Sequence, residues 1–202
     1  MASWYVVRHA RKEKGDFYNP KIRHQDEPIS QAGLEQAQKL VTYFSDKSIS
    51  KIYVSAYQRT MQTAAPLAGY LGLLPLVDER LNEMDNGLFD SLSEEEIKEK
   101  FPVEYQAMCE GRVDFRFPQG ETGEEASRRI VGFLNEKRNM HGDENVLVVC
   151  HEGLIRVLMC HVTRNPVYHR QHFYVDFCGI TELIYQPDFG IWKLMRFNHT
   201  CE

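Results

Sequence analysis

The chain has 202 residues, 43% hydrophobic and 26% charged, with a formal net charge of −5. That length suits one domain with a substantial core, and the acidic balance argues against a general nucleic-acid binder. No apolar run reaches the ~18 residues of a membrane span, the charged N-terminus is unlike a signal peptide, and five cysteines without a CxxC pair read as reduced thiols, so the expected setting is cytoplasmic.

The first element in chain order is "WYVV", Trp4–Val7, an apolar run without strict alternation, as in a parallel strand covered on both faces. It runs directly into Arg8 and His9, with Arg11, Lys12 and Lys14 close behind. "SQAGLEQAQKLVTYF" predicts a helix with Ser30 as N-cap and Leu34, Ala37, Val41 and Phe44 on its inward stripe. "KIYVS", Lys51–Ser55, is a second buried strand. The helix after it, "YQRTMQTAAPLAGYLG", would turn Met61, Ala64, Ala65, Ala68 and Leu71 inward and stop at Gly72. Pro66 within that run predicts a kink or a late start.

Residues 88–119 are polar, acidic at "SEEE" and interrupted by Pro102 and Pro118. They read as a small helical insertion over the sheet, within a single domain spanning 1–202. "TGEEASRRIVGFLNEKR" opens with a capping box from Thr122 to Glu125 and buries Ala126, Ile130, Phe133 and Leu134. "NVLVVC", Asn145–Cys150, is the third strand, and "EGLIRVLMCHV" a short helix with Ile155, Leu158, Met159 and Val162 inward. The tail "GITELIYQPDFGIWKLMRF" predicts a hairpin about Pro187–Gly190. Strands alternating with helices predict an α/β fold, a three-layer α/β/α sandwich around a mostly parallel sheet.

Each predicted parallel strand delivers basic residues at its carboxyl end: Arg8 and His9 after the first, Arg59 in the turn after the second, His151 after the third. Open α/β sheets bind ligands beyond those ends. Two guanidiniums and two imidazoles meeting there need an anion, and phosphate fits best, because arginine offers a planar fork and helix N-termini add N–H donors. A neutral imidazole can attack phosphorus while the guanidiniums stabilise the transferring group. The leaving alkoxide then needs a proton, and "LNEMDNGLFDSLS" supplies Glu83 and Asp85.

At this point the chain resembles the histidine phosphatase superfamily, the group that includes cofactor-dependent phosphoglycerate mutase. "VVRHA" is similar to that family's strand-plus-RHG signature, "EPISQAGLEQAQKL" to its "PLTxxGxxQA" helix start, and "VSAYQRTMQTAAPLA" to its "SPLxRAxQTA" segment. "LNEMDNGLFDSLS" resembles its "LxExxxGxxxG" acid loop, "FPQGETGEEASRRI" its "PxGES" run, and "VLVVCHEGLIRVL" its "VxHGGxIR" segment. The matches stand in family order over most of the chain.

The resemblance implies that His9 is the phosphorylated nucleophile, that Arg8 and Arg59 clamp the phosphate, and that His151 stabilises the transferring phosphoryl group. It also implies Glu83 as proton donor, since the family's acid lies four residues before a glycine, here Gly87. No metal or other cofactor is implied. The implied partner is a small phosphorylated substrate, with neither nucleic acid nor membrane expected; oligomeric state leaves no mark in the sequence. Three departures stand out: Ala10 replaces the glycine after the nucleophile, Glu152 replaces the glycine after the second histidine, and the family's nearby asparagine has only Asn19 as a candidate.

The expected activity is metal-independent phosphomonoester hydrolysis through a phosphohistidine. The alternatives are phosphoglycerate mutase-type transfer and a catalytically weak phospho-ligand binding module. A metallohydrolase on His9, His151, Glu83 and Asp85 is a further rival that the arginines disfavour. Arg11, Lys12 and Lys14 read first as a solvated loop, with recognition of a second anionic group as the alternative; the same two readings hold for Arg112 and Arg116 in the insertion, and His24, His141, His161, His169, His172 and His199 fit no role in this scheme.

Overall fold

The computed structural model describes residues 2–201. Its centre is a six-stranded sheet in the order β5–β4–β6–β1–β7–β8, built from β1 (Ser3–Arg8), β4 (Ile49–Val54), β5 (Leu76–Val77), β6 (Asn145–Cys150), β7 (Ile180–Gln186) and β8 (Ile191–His199). The first four run parallel, and the β7–β8 hairpin joins antiparallel beside β1. The mostly parallel α/β sandwich is therefore present.

Alternate residues of the central strands feed two separate cores. Trp4 and Val6 of β1, with Val146, Val148 and Cys150 of β6, pack under α5 (Gly123–His141) and α6 (Glu152–Val162). Tyr5, Val7, Leu147 and Val149 pack on the other face under α1 (Gln31–Phe44) and α2 (Gln58–Leu71). Burial on both faces is why these strands read as continuous apolar runs.

The helix caps follow the local chemistry. Ser30 accepts a hydrogen bond from Gly33 N–H, and Thr122 with Glu125 closes a full capping box at the start of α5. Gly72 ends α2 in the left-handed conformation, and α2 continues through Pro66 without a late start. Two stripe assignments are corrected. Leu34 and Ala65 face solvent, while Gly33, Leu40 and Leu67 point inward. Gly33 lies directly against the Arg11 carbonyl, where a Cβ would collide, and this contact sets the rotation of α1.

Two elements carry no periodicity and escape prediction: the edge strand β5, and a small hairpin of β2 (Tyr18–Asn19) and β3 (His24–Gln25). Between β5 and α5 the chain forms a 3₁₀ turn at Gly87–Ser91, then α3 (Glu94–Lys100) and α4 (Pro102–Glu110). Ser93 and Glu96 form a second capping box, which puts the acidic "SEEE" run at the positive end of α3. Pro102 sits in the first turn of α4, where its missing N–H costs nothing.

Candidate active site

Register explains how distant residues meet. In the sheet β4, β6 and β1 are neighbours, Arg8 pairs with Cys150, and Val54 pairs with Val149. The next residues along the three strands, His9, Ser55 and His151, therefore emerge side by side at the carboxyl edge. A cleft of about 270 Å³ opens there, lined by Arg8, His9, Tyr57, Arg59 and Glu83 among others. His151 lies beneath it, fully buried, its ring edge-on to His9 (5.2 Å between centroids) and to Tyr57 (4.9 Å).

His9 is held by its backbone and its ring. Its N–H donates to the Cys150 carbonyl at 2.9 Å, and ring Nδ1 lies 2.8 Å from the Ala10 carbonyl oxygen. A carbonyl only accepts, so Nδ1 carries the proton and Nε2 keeps its lone pair. Burial, with Arg59 next in weight, pushes the His9 pKa well below the ordinary histidine value. His151 is shifted the same way by burial and by Arg59. Ser55 Oγ lies 2.8 Å from His151 Nε2.

Ala10 causes no backbone strain: it is absent from the left-handed positions and its methyl is packed in the α1/α2 core. Its N–H donates to Thr63 Oγ1 at 2.9 Å, which ties the loop after β1 to the second turn of α2.

The two arginines are half-engaged. Arg8 donates Nη1 to the Val175 carbonyl at 2.5 Å, pairs Nη2 with Glu152 at 2.7 Å, and stacks on Phe177. Arg59 stacks on Tyr57 and makes only long contacts, 3.5 Å each, to Glu27 and the Gln25 carbonyl. Among the described residues, the buried side-chain nitrogens without a hydrogen-bond partner include Arg8 Nε, Arg59 Nε and His151 Nδ1. Buried donors are nearly always satisfied, so three such nitrogens around and beneath one cleft suit a polyvalent acceptor.

Glu83 is half-buried against the N-terminus of α6, accepting N–H bonds from Leu154 (3.1 Å), Gly153 (3.3 Å) and Met84 (2.8 Å). Burial raises its pKa above the ordinary carboxylate value even so. Asp85 instead accepts from Gly87 N–H in a turn and does not line the cleft. Glu83 is the carboxyl the fold brings to the basic cluster.

Several neighbours were not singled out in the sequence. Glu27 pairs with Lys12 at 2.6 Å and lies beside Arg59. His24, assigned no role from sequence, lines the cleft from β3 and stands 3.8 Å from Asp85 and 3.7 Å from Asp90. Lys12 also lines the cleft rather than simply facing solvent. Arg129 of α5 binds the carbonyls of Arg80, Asn82 and Glu83, fastening the loop that carries the acid. Ser55 had a signal, the serine that opens "SAYQRT"; Arg129 had none, because three of its five hydrogen bonds go to backbone carbonyls and the other two to Glu121. Arg112 and Arg116 do not line the cleft, and Arg116 pairs with Glu125 at 2.5 Å. Asn19 donates to Asp26 at 2.9 Å and is not a lining residue.

A mostly parallel α/β sheet with paired imidazoles, two guanidiniums and a protonatable carboxyl at its carboxyl edge defines a phosphoric monoester hydrolase. The comparisons carry this to a family. The pattern described as histidine phosphatase superfamily (branch 1) matches residues 4–200, and the chain belongs to that superfamily. It is 32% identical over 163 residues to phosphoserine phosphatase 1 of Hydrogenobacter thermophilus, covering 79% of this chain and 75% of that one. It is also 32% identical over 163 residues to the human 6-phosphofructo-2-kinase/fructose-2,6-bisphosphatase 4, where the match spans 32% of that longer protein. The fold superposes on a solved phosphoserine phosphatase from Entamoeba histolytica in complex with 3-phosphoglyceric acid, with a TM-score of 0.81 at 19% identity, covering 99% of this chain and 98% of that one. Among the described residues no helix is long and apolar enough to cross a membrane.

Proposed function

We propose that the chain hydrolyses small phosphomonoesters through a phosphohistidine formed on His9. The ester phosphate sits on Arg8, Arg59 and the His151 Nδ1–H, with the Ser55 hydroxyl donating to His151 Nε2 and so keeping the proton on Nδ1. The lone pair of His9 Nε2 forms the N–P bond as the ester P–O bond breaks, and Glu83 gives its proton to the departing oxygen. Water then attacks phosphorus while Glu83, now a carboxylate, takes its proton. The N–P bond breaks, and phosphate leaves with His9 restored. The guanidiniums supply the electrostatic stabilisation throughout.

The observation that carries this reading is one cleft lined by Arg8, Arg59 and Glu83 beside the bare Nε2 of His9, with buried nitrogens of Arg8, Arg59 and the underlying His151 lacking a protein partner. The test is hydrolysis of p-nitrophenyl phosphate by the full chain, with an alkaline quench of radiolabelled substrate to trap phosphohistidine. The native chain is expected to turn over and to carry label on His9. His9→Ala should lose roughly 10³-fold or more and carry none, and Arg59→Ala should lose about 10²–10³-fold. An unlabelled native enzyme during turnover, or a His9→Ala variant of native rate, would refute it.

A further inference from the structure

Beside the phosphate cleft lies a second cavity of about 360 Å³, and the two share Glu83, Met84, Asn86 and Asp90. Under the proposed chemistry the leaving-group oxygen meets Glu83, so an ester held in the cleft lays its leaving group across the shared wall. The lining of the second cavity then describes what that group is.

One part of the lining is apolar. Phe89, Ile97, Met108 and Phe117 come from the insertion and its return to α5, and Ile97 and Phe117 are buried. The other part is polar: the carboxyls of Glu83, Asp90 and Glu152 stand beside two arginines whose charges are already compensated. Arg156 pairs with Glu152, donates Nε to the Phe173 carbonyl at 2.8 Å, and donates Nη1 to Gln171 at 2.9 Å. Arg170 is buried, lies 3.5 Å from Asp114 and donates to the Val167 carbonyl. Among the described residues lining this cavity, each arginine therefore already has a carboxylate.

Glu152 is the pivot. It opens α6 with one carboxylate oxygen on Arg8 and the other on Arg156, so it stands between the two cavities. A second anionic group on the substrate would reach Arg156 only by approaching this carboxylate as it shed its own water, which is costly on both counts. An apolar group meets no such penalty and gains contact with Phe89, Ile97, Met108 and Phe117.

We propose that this cavity receives an uncharged, apolar leaving group, of the size of an aromatic alcohol, and that Glu152 turns away substrates bearing a carboxylate or second phosphate. Selectivity here comes from a repulsive element as much as from the apolar contacts. The inference rests on the reading of the phosphate cleft given above.

The test compares kcat/KM for 2-phenylethyl phosphate and 3-phosphoglycerate, both esters of primary alcohols, by release of inorganic phosphate from the full chain. The native enzyme should favour the phenylethyl ester by roughly tenfold or more. Glu152→Gln keeps the shape, removes the charge and uncovers Arg156, and should move the ratio at least about tenfold toward 3-phosphoglycerate. Because Glu152 also holds Arg8, both rates can fall in that variant, so the ratio is the readout. Met108→Lys, at a half-buried position away from Arg8, should move the ratio the same way. A native preference for 3-phosphoglycerate, or a ratio unmoved in either variant, overturns the proposal. If neither ester is hydrolysed and His9 carries no label, the cleft reading fails first.

Discussion

Glu83 shows how a single carboxyl takes its character from where the chain puts it. Three backbone N–H donors and the positive end of α6 favour its anion, yet burial outweighs them and holds its pKa above the ordinary 4.5. His9 moves the other way, below 6.5, because burial and Arg59 both disfavour the imidazolium. On the proposed chemistry the active form needs neutral His9 and protonated Glu83. Activity is therefore lost on the acid side as pH falls through a histidine value below 6.5, and on the alkaline side as pH rises past a carboxyl value above 4.5. The kcat/KM profile should be bell-shaped, with its alkaline limb absent in Glu83→Gln. That variant should lose about 10²–10⁴-fold on alkyl phosphates. In kcat/KM, which ends at P–O cleavage and omits the water attack that Glu83 also serves, it should lose much less on p-nitrophenyl phosphate, whose leaving group needs no proton. Equal losses on the two substrates would remove Glu83 from the acid role.

Elements position these residues, and two kinds of contact do the work. Strand register sets His9, Ser55 and His151 side by side, a placement that follows from backbone pairing and needs no side-chain contact. The acid loop has no such ladder and depends on Arg129 of α5, which donates at 2.7 Å to the carbonyls of Arg80 and Asn82 and at 3.0 Å to that of Glu83. Glu121 in turn accepts from Arg129 at 2.6 Å, so the guanidinium fork is fully occupied. Arg129→Ala leaves these carbonyls without their donor and should cost about 1–3 kcal/mol in urea unfolding. It should lower kcat more than it raises KM, because the acid is displaced while Arg8 and Arg59 keep the phosphate. An unchanged kcat would show that the loop holds its place unaided.

Across the whole molecule, two cores on opposite faces of the sheet support a site that opposes folding, with His9, His151 and Arg59 all buried. His9 and His151 both have folded pKa values depressed below the ordinary 6.5 by burial. Between the folded value and 6.5 the unfolded chain binds protons that the folded chain does not, so stability is full above 6.5 and declines as pH falls through that interval. Urea midpoints measured downward from neutral pH should fall, and His151→Gln should flatten the slope. A slope unchanged by that substitution would mean the imidazole is not held neutral.

Sequence alone determined the parts governed by local pattern. The apolar strand runs, the caps at Ser30, Thr122 and Gly72, and the basic residues at three strand ends follow from side-chain periodicity and backbone capping within a few residues. Motif order went further and named the five residues that the fold brings to one cleft or, for His151, beneath it. What needed the tertiary structure has no local signature. Leu34 faces outward because Gly33 lies against the Arg11 backbone, a contact about twenty residues apart in sequence that no stripe of α1 encodes. The β2–β3 hairpin has strands of two residues each, too short to show alternation, yet it brings His24 to the cleft. Glu152 stands in the sequence only as a departure from the family's glycine; its i,i+4 partner Arg156 is local, but its pairing with Arg8 exists only because β1 and α6 meet. Periodicity reports which face of an element is apolar, whereas charge pairing and cavity shape belong to elements that meet only when the sheet closes.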